Sequence, residues 1–122
     1  MNDFSISKML DNMPIGVFIL ELIDRDTMEF RNVYVNNTNS KIVGADLEAT
    51  IGRTLRESFP EAYNYGLPDK YMEALRTQEK VVIGEMQYED GTIKKNTFFL
   101  EVTPLDSTHV MLTTENISRV KP

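Results

Sequence analysis

The stretch Tyr34-Val35-Asn36-Asn37-Thr38-Asn39-Ser40-Lys41-Ile42-Val43-Gly44 decides the fold of this chain. Phe30 to Asn36 reads as a β-strand whose apolar weight is carried by Phe30, Val33, Tyr34 and Val35. The run Asn36-Asn37-Thr38-Asn39 then offers several helix caps, because a short side-chain oxygen accepts the hydrogen bonds that the first helical N–H groups cannot make internally. The helix runs through Ile42-Val43 and stops at Gly44, a residue free to take the left-handed conformation that ends helices. Asp46 caps a second short helix, Leu47 to Ile51, closed by Gly52. Two helices of one or two turns in succession, straight after a strand, are an unusual arrangement.

Upstream, Ile15-Gly16-Val17-Phe18-Ile19-Leu20-Glu21-Leu22-Ile23 is apolar on both parities, as expected of a strand covered on both faces. The polar turn Asp24-Arg25-Asp26-Thr27 joins it to the Phe30 strand as an antiparallel hairpin. Before it, Ser5 to Met13 places Ile6, Met9, Leu10 and Met13 on one stripe of a short helix, with Asp3 or Ser5 as its cap and Pro14 as its end. That helix covers the second face of the first strand.

Downstream, Leu55, Phe59 and Pro60 close a further short segment, and Glu61 to Gly66 reads as a loop. Pro68 to Gln78 is the longest amphipathic helix, with Leu67, Tyr71 and Leu75 at i, i+4 and i+8 and Met72 beside them. Three strands end the chain: Val81 to Tyr88, a turn at Asp90-Gly91, Lys94 to Val102 stopped near Pro104, a turn around Asp106-Ser107, and His109 to Thr114. Glu85 and Gln87 fall on the parity opposite Val82 and Met86 and so point outward, unless a bulge reverses the strand. Five antiparallel strands with helices across one face make an α+β domain.

The 122 residues suffice for one domain, and the absence of cysteine excludes disulfides, thiolate metal sites and thiol nucleophiles. A net charge of −6 repels phosphate backbones and anionic membranes, so neither nucleic acid nor a membrane surface is an expected partner. No apolar run approaches the roughly 20 residues of a membrane span, and Asn2-Asp3 is not the start of a signal peptide, which together imply a cytoplasmic domain. No glycine run has phosphate-loop spacing, and the seven methionines read as packing.

The order of elements resembles the PAS fold, a five-stranded antiparallel sheet with short helices on one face and an N-terminal flanking helix. Tyr34-Val35-Asn36 with Ile42-Val43-Gly44 is similar to the second strand and first short helix of sensor PAS domains, and Ile51-Gly52-Arg53 with Phe59-Pro60 to the marks that follow. Glu89-Asp90-Gly91-Thr92 resembles the family's lysine-aspartate-glycine-threonine hairpin. Asn116-Ile117-Ser118-Arg119 stands where many members carry aspartate-isoleucine-threonine before an output helix, with Asn116 and Ser118 as departures. The resemblance divides the chain into a flanking helix over residues 1–13, a sensory domain over 14–119 and the start of a linker over 120–122.

The resemblance implies a sensory module of a signalling protein, such as a sensor histidine kinase or a cyclic-dinucleotide enzyme, joined covalently to an output domain. Flavin photochemistry in this family needs a cysteine at a position that falls here near Leu55, and haem-binding members need a histidine on the long helix, where Tyr71 to Gln78 has none. Neither covalent flavin photochemistry nor haem is therefore expected, and the residues name no other cofactor. His109 opens the last strand on the parity opposite Val110, Leu112 and Thr114, with no orienting partner identifiable for catalysis or metal binding.

The expected ligand site lies between sheet and helices, lined by Phe18, Tyr34, Ile42, Phe59, Tyr71, Leu75, Phe98, Leu100 and Leu112. Tyr34, Asn39 and Thr114 would add polar contacts, since a buried hydroxyl or amide needs a partner. Three functions remain open: a ligand-binding sensor; a homodimerisation module with a filled core, joined through Ile6, Met9, Leu10 and Met13; and a small hydratase or isomerase, which would need an inward acid–base pair that only Tyr34 and Glu85 or Gln87 could begin to supply.

Overall fold

A computed structural model describes residues 8–89, 93 and 95–117. The strands are β1 (Gly16–Asp24), β2 (Glu29–Val35), β3 (Val81–Tyr88), β4 (Asn96–Pro104) and β5 (His109–Asn116). They form one antiparallel sheet in the order β2-β1-β5-β4-β3. Between β2 and β3 lie α1 (Asn37–Val43), a 3-10 turn (Glu48–Thr50), α2 (Leu55–Ser58), α3 (Glu61–Asn64) and α4 (Leu67–Thr77). All cross one face of the sheet and enclose the core there, among Leu20, Phe30, Leu47, Tyr71, Val102 and Val110. Among the described residues no helix is long and apolar enough to cross a membrane.

Asn36 caps α1 as its residue type demands, its side chain accepting from the Asn39 N–H, and Gly44 ends the helix at φ 72°. The second helix expected, Leu47 to Ile51, is a single 3-10 turn without a side-chain cap; Asp46 does not fill that role. Instead the Ser40 hydroxyl accepts from the Leu47 N–H at 3.1 Å. Thr54 and Glu57 form a reciprocal capping box on α2. The Glu61 to Gly66 segment, expected as a loop, holds the one-turn helix α3.

The ladders joining β1 to β5 and β5 to β4 are unbroken, whereas both edge strands carry bulges. On β2, Tyr34 opposes Ile19 and Asn32 opposes Leu20, so Val33 is the extra residue. On β3, Val82 opposes Glu101 and Gly84 opposes Leu100, so Ile83 is extra, and Gly84 takes φ 87°. An extra residue moves everything beyond it to the other face. Val82 consequently points outward at 58 % exposure, while Met86 and Tyr88 turn inward. The bulge precedes Glu85 and Gln87, and both stay outside.

At the N-terminus, residues 8–11 are helical and the helix ends there, short of Met13. This segment is tied to the start of α1. The Asn36 amide donates to the carbonyls of Leu10 (2.8 Å) and Ile15 (3.0 Å) and accepts from the N–H groups of Val17 (2.9 Å) and Asn39 (3.0 Å). Thr38 donates its hydroxyl proton to Met13 O at 2.8 Å, and the Asn37 N–H donates to the Asp11 carboxylate at 3.0 Å. Leu10 and Met13 are half-buried and Met9 is 55 % exposed; Ile6 and the proposed caps Asp3 and Ser5 lie outside the described residues, as do Asp90-Gly91, Lys94 and Ser118-Arg119.

Candidate functional site

The core holds a cavity of about 60 Å³ between the sheet and the helices. Alternation on three central strands supplies one wall: Phe18 and Leu20 from β1, Phe98 and Leu100 from β4, Leu112 and Thr114 from β5. The helices supply the other. Val43 comes from α1, Leu55 from α2, Phe59 from the end of α2, Ala62 from α3, and Leu67 and Tyr71 from α4; Tyr88 and Ile93 close the β3 end. Phe18 meets Phe59 edge to face at 5.8 Å, and Phe30 meets Tyr71 at 5.4 Å and 87°, contacts that hold rings from sheet and helices in fixed register. Burial raises the Tyr71 hydroxyl pKa, with the neighbouring Tyr63 adding to the shift, so Tyr71 is a neutral phenol throughout the ordinary pH range.

Of the residues expected to surround a ligand, the structure brings together Phe18, Phe59, Tyr71, Phe98, Leu100, Leu112 and Thr114. It places four elsewhere. Tyr34 is turned to the outer face by the Val33 bulge, where burial first and then the Asp11 carboxylate raise its pKa. Ile42 is half-buried in a shallow depression with Pro14, Ile15, Glu115 and Asn116, because the 100° turn per residue gives the inward face of α1 to Asn39 and Val43. Leu75 is buried but stands one turn beyond Tyr71, where the cavity has ended. Asn39 is buried against Gly16 rather than in the cavity wall.

Asn39 is an exception to the rule that buried polar groups are paired. It is 0 % exposed, and neither its Nδ2 nor its Oδ1 has a hydrogen-bond partner. The amide occupies the space left by the missing side chain of Gly16: a Cβ there would lie 2.3 Å from Asn39 Oδ1. Gly16 pairs with Thr114, which lines the cavity, and Val43, one helical turn after Asn39, lines it too.

His109 has the orienting partners that its sequence position did not reveal. Its Nδ1 lies 3.0 Å from Asp106 Oδ1 and its Nε2 3.8 Å from Glu21 Oε2, while Glu21 Oε1 accepts from Arg31 at 2.6 Å. Register brings these together, since Glu21 pairs with both His109 and Arg31 across the outer face of the sheet. The Asp106 carboxyl is held at about 2, first by the Thr108 backbone N–H and then by the His109 side chain. On the opposite side, Tyr63 donates to Glu29 Oε1 at 2.8 Å, under an Arg56 guanidinium stacked 3.9 Å from its ring, which ties the β1–β2 hairpin to α2 and α3.

The sequence missed Leu20, Val43, Leu55, Ala62, Leu67, Tyr88 and Ile93 as cavity residues. For Leu67 the signal was present, since it shares the stripe of Tyr71. For Tyr88 the signal was the parity of Met86. For Val43 it was the i, i+4 relation to a buried Asn39.

A sequence model described as the PAS fold matches residues 6–109. Comparison with curated proteins gives no match. Among solved structures, the PAS domain of a Colwellia psychrerythraea protein superposes with a TM-score of 0.71 at 13 % identity, covering 95 % of this chain and 97 % of that one. A sensory box sensor histidine kinase structure from Vibrio cholerae gives 0.58 at 24 % identity, with 93 % and 90 % covered. An RNA-binding light-oxygen-voltage receptor gives 0.69 at 13 % identity, covering 96 % of this chain, which spans only 33 % of that receptor. With the β2-β1-β5-β4-β3 sheet and a match across most of its length, the chain belongs to the PAS family.

Proposed function

We propose that this chain is the sensory input module of a signal-transduction protein, in which a small molecule held in the core cavity biases the packing of the sheet against the helices. The observation that carries this reading is that the last strand forms part of the cavity wall. Leu112 and Thr114 line it, and the same strand runs on to Asn116, two residues later. An occupant therefore contacts the segment by which the chain leaves the domain, and any difference in its affinity for two packings of β5 shifts their populations. The structural likeness to a sensor histidine kinase domain supports the setting, with an output domain joined beyond β5.

The reading is non-catalytic. Among the described residues that line the cavity there is no Asp, Glu, Lys, Arg or His, which supports this reading. The cysteine and helix histidine that flavin-adduct and haem-binding members use have no counterpart at Leu55 or over Tyr71 to Gln78, which supports a reading without either.

A second reading, homodimerisation through the N-terminal segment, is favoured by the exposed thioether of Met9. Native mass spectrometry beside the denatured mass separates the two. A noncovalent mass excess on each chain is the expected result; a dimer with no bound mass, in protein whose cavity also fails to take up xenon, would replace the sensor reading with the interaction module. Leu10→Glu should leave bound mass unchanged in the first case and abolish the dimer in the second.

A further inference from the structure

The chemistry of the cavity wall restricts what can occupy it. Among the described residues that line it, on strands and helices alike, none carries a charged side chain. An ion moved from water into such a wall loses its hydration and meets no counter-charge, so it sheds its charge or stays outside. Burial raises the Tyr71 hydroxyl pKa, which keeps that side chain neutral as well. A cage of aromatic faces could still attract a cation. Here, however, the edge-to-face pairs Phe18–Phe59 and Phe30–Tyr71 each cover one ring face with the partner's edge. What the wall offers is hydrocarbon contact, from Leu55, Leu100 and Leu112 among others.

From this wall we infer that the ligand class is a small uncharged molecule, mostly or wholly hydrocarbon. This rests on the sensor reading above and names the class of its ligand. At about 60 Å³ the cavity takes roughly five heavy atoms, given about 10–15 Å³ for each water-sized occupant. Amino acids, organic acids and phosphate esters are excluded, because each is charged at neutral pH and no described lining residue answers that charge.

The experiment is an NMR titration of the full chain with two probes of one shape, isopentane and isobutylamine, followed at the Leu55, Leu100 and Leu112 methyls. The amine resembles a lysine side chain, with a pKa of roughly 10.4, so at pH 7 about one molecule in a few thousand is neutral. Isopentane should shift the three methyls saturably at roughly 0.1 mM. Isobutylamine should bind at least about a thousandfold more weakly at pH 7 and regain about tenfold for each pH unit up to about 9. Ala62→Leu fills the cavity from α3 and should abolish the isopentane shifts. Should that variant fail to fold, the two probes in the unaltered protein decide alone.

Comparable binding of the two probes at pH 7 overturns the inference and leaves the sensor cavity standing. An exclusion of the amine that does not ease as pH rises also overturns it, since something other than charge would then be the cause. Isopentane shifts that survive in Ala62→Leu would place the occupant elsewhere and overturn it too. If neither probe enters at any pH, the cavity takes no ligand of either kind, and the sensor reading falls with the class.

Discussion

Asn36 and Asn39 stand three residues apart at the start of one helix, both 0 % exposed, and their side chains have opposite fates. The region around Asn36 is a closed network in which a single amide makes four hydrogen bonds and joins the N-terminal segment, β1 and α1. The region around Asn39 is open in the chemical sense: the same functional group, equally buried, makes none with its side chain. A fully used amide fixes architecture, whereas an unused one fills the space that Gly16 leaves and ties nothing together. The difference gives Asn36 a joining role that Asn39, equally buried, does not share.

The most damaging way to probe the comparison is Asn36→Ala. It strands the Val17 N–H and the Ile15 carbonyl, while the Asn39 N–H keeps the Asn36 carbonyl and the Leu10 carbonyl keeps the Met13 N–H, and chemical denaturation should register a loss of about 3 kcal/mol. Gly16→Ala comes next, because its Cβ would fall 2.3 Å from Asn39 Oδ1; overpacking of this kind costs about 1–3 kcal/mol. Adding Asn39→Ala removes the two nearest of the clashing atoms, so the double variant should recover part of the loss, and strict additivity in that cycle would place Asn39 elsewhere.

Asn39→Leu should change stability by no more than about 1 kcal/mol, and in the stabilising direction, since it replaces an unsatisfied amide with a hydrocarbon of similar shape. A loss comparable to that of Asn36→Ala would show that the two amides are equivalent and sink the distinction. The smallest effect is one of pH. Amides do not titrate, so neither asparagine side chain carries a pH dependence of its own, and Asp106 should supply part of the dependence instead. Its folded pKa of about 2 lies below the ordinary 3.8, so its contribution is complete above 3.8 and is lost as pH falls through about 2. Asp106→Asn should flatten that part of an acid unfolding curve.

Much of this fold could be read from residues that act locally. The Asn36 cap, the Gly44 stop and the Leu67-Tyr71-Leu75 stripe depend on chemistry within a few residues, and each element stands where that chemistry puts it. The strands of the sheet centre kept their alternation, which is why Phe18, Phe98, Leu100, Leu112 and Thr114 could all be assigned to one wall. The faces of the edge strands were not legible. A bulge adds one residue without leaving a mark in the apolar pattern, so Val33 displaced Tyr34 and Ile83 displaced Val82. Gly84 at φ 87° was the only local hint of either. The pairing of His109 with Glu21 and Arg31 was hidden for another reason: it arises from strand neighbours far apart in sequence.

The adjacency of β1 and β5 has a mechanical consequence. Gly16 opens the first strand and its ladder partner Thr114 lies near the end of the last, so the chain enters and leaves at the same end of one antiparallel ladder. A load applied across the two flanks acts on the hydrogen bonds of that ladder one after another, as a zipper is opened, rather than on all of them at once in shear. Tension carried along the polypeptide would thus part β1 from β5 at Gly16 and Thr114 first, where the Asn39 side chain is seated.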